Sequence, residues 1–134
     1  MKQLIQISLL IFSFTCANYG QQHSQPGIKF DTLIHDFGLL EKGSNASCSF
    51  IFVNRAESPV IITNVKSSCG CTVPEWPKEP VLPGGSGSIQ IRYNTQITGT
   101  FQKTIYIYSS QNSQPIVLTI KGSVKKKERK RKAK

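Results

Sequence analysis

Ser88-Ile89-Gln90-Ile91-Arg92-Tyr93 sets Ile89, Ile91 and Tyr93 on one side of an extended chain and Gln90 and Arg92 on the other. Successive side chains of a strand point to opposite faces, so this run reads as a half-buried β-strand with one apolar and one solvated face. Gly84-Gly85-Ser86-Gly87 before it is a turn free to take positive φ, and Asn94 to Thr100 after it is a linking loop. The same alternation recurs outward in both directions. Phe101 to Tyr108 places Phe101, Ile105 and Ile107 on one face, with Lys103 as the irregular member, and Pro115 to Val124 closes the chain with Ile116, Leu118 and Ile120 alternating against Val117 and Thr119.

Toward the N-terminus, Val60 to Val65 is β-branched except at Asn64, and Ala46 to Val53 sets Cys48, Phe50 and Phe52 on one face. Ile28 and Phe30 alternate with Lys29 and Asp31, and Leu33 to Leu40 extends or repeats that strand. Polar turns at Glu41 to Ser44 and Asn54 to Pro59 separate the runs. No segment keeps a 3.6-residue apolar period over three turns, so helices are not expected. About seven short strands over residues 28–124 predict an all-β, immunoglobulin-like β-sandwich. Its expected core is Phe30, Phe37, Phe50, Phe52, Val60, Ile62, Ile89, Ile91, Phe101, Ile105, Ile107, Leu118 and Ile120. Each such side chain contributes about 1.5–3 kcal/mol when fully buried, before entropy is subtracted.

A chain of 134 residues suits one such domain. Its net charge of +10 is concentrated at one end: nine Lys or Arg from Lys121 onward face the single Glu128, whereas residues 1–120 carry eight against six acidic groups. The body is therefore nearly neutral and the basicity belongs to a tail, residues 125–134. That composition cannot build a core and predicts disorder. Lys125, Lys126, Lys127, Arg129, Lys130, Arg131 and Lys132 are candidate interaction residues toward an anionic surface, by a salt-sensitive attraction. Nucleic acid is a poor fit as partner, because Tyr93, Tyr106 and Tyr108 are not interleaved with basic residues as an RNA-binding sheet requires.

Residues 1–20 read as a signal peptide. Lys2 supplies the positive end, and Leu4 to Phe14 is apolar apart from Gln6, Ser8 and Ser13, too short for a permanent membrane anchor. Thr15 and Ala17 make one small-x-small cleavage site, and Gly20 before Gln21 makes another. Cys16 is a candidate lipid-anchored first residue, although Ser13 stands where a lipobox carries Leu. Residues 21–27 form a flexible lead-in. Export to the periplasm, the cell envelope or the medium is expected, without a transmembrane anchor once the signal is removed.

Ser68-Cys69-Gly70-Cys71-Thr72-Val73-Pro74-Glu75-Trp76-Pro77 and its extension through Pro80 to Pro83 form the chemically distinctive stretch. Its prolines restrict it to an extended crossing or an edge strand. Cys69 and Cys71 project to one side and could chelate a soft ion such as Cu or Zn, with Cys48 as a third ligand. They could instead be structural, through a disulfide of Cys48 with Cys69 or Cys71 or as packed thiols that shape the turn, or take part in thiol redox chemistry; a direct Cys69–Cys71 bond would close a small, strained ring. Trp76 is either an exposed anchor for a partner or a cap on the core. No nucleophile, base and orienting group can be named together, so no catalytic residue is assigned.

His35-Asp36-Phe37-Gly38, Gly43, Phe50-Ile51-Phe52-Val53-Asn54, Pro59-Val60, Ser68-Cys69-Gly70-Cys71-Thr72, Pro74, Trp76, Pro83-Gly84, Gly99 and Ile120-Lys121-Gly122 together resemble domain-of-unknown-function family 1573, found in exported proteins of Bacteroidota and related bacteria. The resemblance implies a relative of major sperm protein-like domains, folds used mainly for protein interaction, with no established enzymatic activity and no cofactor. The chain departs from the family pattern at Cys48 and in its long basic tail. The residues and the resemblance point to an exported, non-enzymatic interaction or envelope-structural module of unknown partner. The competing class is a soft-metal or thiol-redox protein working through Cys69 and Cys71.

Overall fold

Asp31, Thr32 and Leu33 interrupt the first extended run, and there the chain crosses from one sheet to the other. The computed structural model describes residues 27–126. Within them the strands are β1 (Ile28–Phe30), β2 (Ile34–Glu41), β3 (Ala46–Asn54), β4 (Ile62–Ser67), β5 (Thr72–Glu75), β6 (Ser86–Tyr93), β7 (Gly99–Ser109) and β8 (Asn112–Lys125). They form two four-stranded sheets, ordered β1-β3-β6-β5 and β2-β8-β7-β4. No helix occurs among the described residues. The fold is the all-β sandwich that the alternating runs predict, with eight strands rather than about seven. The additional strand is β5, which the prolines allow because β5 lies at a sheet edge and pairs only with β6.

β1 pairs antiparallel with β3, whereas β2 pairs in parallel with β8 from Ile34↔Thr119 to Glu41↔Lys125. One N-terminal run thus closes an edge of each sheet. Register shifts between Asp36 and Leu39, where Gly38 adopts φ of 64°. A side chain at Gly38 would be held in the left-handed region, which glycine alone enters without penalty.

Inward positions of β3 alternate as the sequence pattern requires: Ala46, Cys48, Phe50, Phe52 and Asn54 are buried, and the residues between them are not. The expected core residues are buried, with Phe37 only partly so. Ile28, Ala46, Cys48, Val65, Val81, Tyr93 and Val124 join them. Tyr93 faces inward rather than forming an outer stacking surface; its ring stacks on Phe101 at 3.7 Å between centroids. The basic tail begins later than expected, because Lys125 is the last residue of β8, paired with Glu41, and its carbonyl accepts from Lys42 N–H at 2.9 Å. The signal segment, Cys16 and the basic residues Lys127, Arg129, Lys130, Arg131 and Lys132 lie outside the described residues.

Candidate functional site

Ser68 to Cys71 carries the chain from β4, the edge of one sheet, to β5, the edge of the other. Backbone bonds fix both sides of this crossing. Ser68 N–H donates to the Thr104 carbonyl at 2.9 Å, Thr104 N–H donates to Ser68 Oγ at 3.1 Å, and Asn94 N–H donates to the Cys71 carbonyl at 2.8 Å. Cys69 and Cys71 are joined to each other by a disulfide, with their Cα atoms 5.3 Å apart. Both cysteines are half-buried, Gly70 between them is exposed, and the buried Thr72 sets its Oγ1 3.6 Å from Cys69 Sγ.

The pairing of Cys48 with Cys69 or Cys71 is therefore corrected: Cys48 is a free, buried thiol. β6 lies between β3, which carries Cys48, and β5, which follows Cys71. Two strand spacings amount to roughly 10 Å, beyond the ~7 Å between Cα atoms that a disulfide can bridge. The same intervening strand keeps Cys48 from serving as a third metal ligand. Among the described residues no three His, Cys, Asp or Glu side chains gather as metal ligands would. Burial pushes the Cys48 thiol up to about 11. His35 lies at the sheet edge with its ring 4.5 Å from that of Phe37 and 6.5 Å from that of Phe50, both edge-on.

Trp76 follows β5 and packs partly buried against the core, with the Lys78 ammonium 3.2 Å from its ring centroid. The ring thus packs on the core with a cation over its face, while part of it stays open to solvent. Beside it runs a shallow, solvent-open groove of about 320 Å³ lined by Glu75, Trp76, Pro77, Gly87, Ser88 and Gln90. Arg92 pairs with Glu75 on the exposed face nearby.

A second groove, about 390 Å³, runs over β2, β8 and β7 beside Asp36, Gly38, Phe101, Lys121 and Gly122. Sequence reasoning missed it. Asp36 accepts from Gly38 N–H at 2.8 Å and stands 3.5 Å from Lys121 Nζ. The Gly38 hydrogen bond, followed by the Lys121 cation, holds the Asp36 carboxyl below the usual carboxylate value. A Cβ at Gly122 would fall 3.0 Å from both the Gly38 carbonyl and the Phe101 ring, so the groove floor is shaped by close packing. The signal available in the sequence was the pair of glycines, Gly38 and Gly122, flanking opposite charges.

The two ends of the sandwich differ. At one end Arg55 N–H donates to the Gly27 carbonyl at 2.7 Å, so the residues preceding the body join there. At the other, the β2–β3 and β6–β7 connections meet, with Thr95 Oγ1 donating to the Ser44 carbonyl at 2.6 Å. That second end also holds the Cys69–Cys71 turn, since Thr72, Tyr93 and Ala46 share one level, and it is where β8 ends at Lys125. Lys42, Lys125 and Lys126 lie at that end, with Lys125 opposite Glu41 in the β2–β8 register.

This arrangement defines an immunoglobulin-like β-sandwich with a disulfide-closed crossover at the end where β8 finishes. The chain belongs to the family described as protein of unknown function (DUF1573), whose model matches residues 28–124. A protein of unknown function from Porphyromonas gingivalis W83 has a similar structure, with a TM-score of 0.64 at 16% identity over 72% of this chain and 46% of that one. The PapD-like domain 7 of human CEP192, an ASH/PapD-like domain, superposes with a TM-score of 0.66 at 9% identity, covering 77% of this chain and 88% of that domain. At such identities the likeness concerns the fold. The human hydrocephalus-inducing protein homolog is 28% identical over 102 residues, which are 74% of this chain but 2% of that protein's length. Among the described residues no helix is long and apolar enough to cross a membrane.

Proposed function

We propose that the protein is an exported, non-enzymatic interaction or envelope-structural module that docks through the end bearing the Cys69–Cys71 crossover and the start of the basic tail. One observation carries this reading. The β2–β3 and β6–β7 connections, the crossover and the β8 terminus converge on a single end, while the chain enters at the other, about 26 Å away along the nine residues of β3. A leader or anchor at the N-terminal side would leave the basic end free to meet a partner. Lys42, Lys125 and Lys126 supply its cationic rim, and the sequence continues with Lys127, Arg129, Lys130, Arg131 and Lys132. An anionic envelope component is the matching partner class, held by attraction that weakens with salt. Export itself is supported by Lys2 and the apolar run Leu4 to Phe14.

Deleting residues 127–134 and measuring retention on vesicles of phosphatidylglycerol and phosphatidylcholine at low and high salt tests the attachment. Retention that falls on deletion and on raising the salt supports it. Unchanged retention at low salt overturns it. The mass of the mature chain from its host tests export, and an uncleaved N-terminus overturns that part.

A further inference from the structure

The Cys69–Cys71 bridge spans one residue, Gly70, within a turn that the Ser68–Thr104 and Cys71–Asn94 bonds already hold. A cross-link stabilises largely by restricting the unfolded chain, by an amount that grows with the length of the loop it closes. A loop this short gains little, so the bridge is a weak staple. Disulfides that solvent and a partner can reach have more oxidising potentials than deeply buried structural ones and are the labile or regulatory ones, and both cysteines of this bridge are only half-buried. The turn is open on its outer side: Gly70 is exposed, and a Cβ built there would meet nothing within 4 Å. Thr72 Oγ1, 3.6 Å from Cys69 Sγ, is placed to donate to that sulfur when it becomes a thiolate.

We infer that the Cys69–Cys71 disulfide is a thiol-exchange site that accepts electrons from a dithiol on a partner protein. A partner thiolate attacks one Sγ of the bridge. The Cys69–Cys71 bond breaks, a mixed disulfide forms between the partner and one cysteine, and the other cysteine leaves as a thiolate. The partner's second thiolate then attacks the partner sulfur of the mixed disulfide and releases the remaining cysteine. The partner's dithiol is oxidised to a disulfide, the bridge is reduced to two thiols, and the two protons finish on Cys69 and Cys71. Each chain carries one equivalent, consumed once. Cys48 stays out of the exchange because it is buried behind β6 and its thiol resists ionisation.

This exchange does not depend on tail attachment, and its failure leaves the vesicle result untouched. The test uses the folded, full-length protein in a glutathione redox buffer that leaves structural disulfides closed, and separately with a reduced two-cysteine peptide. Thiols are counted without denaturant, the peptide's mass is measured, and near-ultraviolet circular dichroism reports the fold. The expected result is two new thiols per chain and one oxidised peptide per chain, with the fold retained. The bridge should favour its reduced form at least about tenfold more than a structural disulfide does. A chain carrying Cys69→Ser and Cys71→Ser leaves the peptide reduced. A bridge that opens only in denaturant, or thiols at Cys69 and Cys71 before any reductant is added, overturns the inference.

Discussion

Phe52 lies over Gly87. The two residues face each other across β3 and β6, and a Cβ built on Gly87 would fall 2.5 Å from Phe52 Cζ. The fully buried Phe52 ring therefore occupies the space that any larger residue at position 87 would need. Gly87→Ala should force that ring and its neighbours aside and destabilise the fold by about 1–3 kcal/mol. Urea unfolding should show the midpoint lowered with its slope unchanged. An unchanged midpoint would mean that the ring has room to move.

This relationship also marks what the sequence can and cannot disclose. Period-2 alternation in Ser88 to Tyr93 and Ala46 to Val53 identifies strands and their inward faces, because burial on one side leaves a pattern along the chain. Gly87 could be read only as part of a turn, since nothing local says that a phenylalanine from another strand fills its side-chain space. The sheet change at Asp31 to Leu33 and the parallel pairing of β2 with β8 are equally non-local. The Cys-Gly-Cys spacing exposed the crossover as chemically distinctive, yet left its partner open. The placement of β6 between Cys48 and β5 decides that point, and strand order is not written in the spacing of cysteines.

Asn54 is fully buried, and its side chain joins three segments. Nδ2 donates to the Ser58 carbonyl at 2.9 Å and the Val81 carbonyl at 2.8 Å, while Oδ1 accepts from Ala56 N–H at 2.9 Å. In the sequence it passes for an ordinary turn residue. Asn54→Ala should strand these groups without partners and cost roughly 2–4 kcal/mol, with Asn54→Asp also destabilising because a carboxylate cannot donate to the two carbonyls. Thermal unfolding checks both. Stability within about 0.5 kcal/mol of wild type would show that water replaces the side chain.

Asp36 should make stability fall in acid. Its carboxyl is held below the ordinary value first by the Gly38 N–H and then by Lys121. The folded state therefore binds this proton less readily than the unfolded chain. The associated stability is present above the ordinary carboxylate value and is lost as pH falls through the lowered one. Asp36→Asn keeps an acceptor for Gly38 but removes the charge, so the gap between variant and wild type should narrow from pH 7 to pH 3. A gap that is constant across that range would mean that the Asp36 carboxyl binds its proton equally in the folded and unfolded chains, and would overturn the prediction.

Cys48 should produce the opposite slope in alkali. Burial raises its thiol from 9.0 to about 11, so the folded chain keeps a proton that the unfolded chain releases. Stability from this difference is intact below pH 9 and is lost as pH rises toward 11. The full effect is on the order of 3 kcal/mol, since each of the two pKa steps corresponds to about 1.4 kcal/mol. Cys69 and Cys71, joined in their disulfide, contribute no thiol to this titration while the bridge is closed. Cys48→Val is close in volume, suits an inward strand position and cannot ionise. Urea unfolding of both proteins at pH 7.5 and pH 10.5 should place the wild type close to the variant at the lower pH and clearly below it at the higher. Tyr93, whose phenol burial also raises, is common to both chains and cancels in the comparison. Equal losses in the two proteins would show that the Cys48 thiol titrates in the folded state as it does in the unfolded one, and that the space around it admits water.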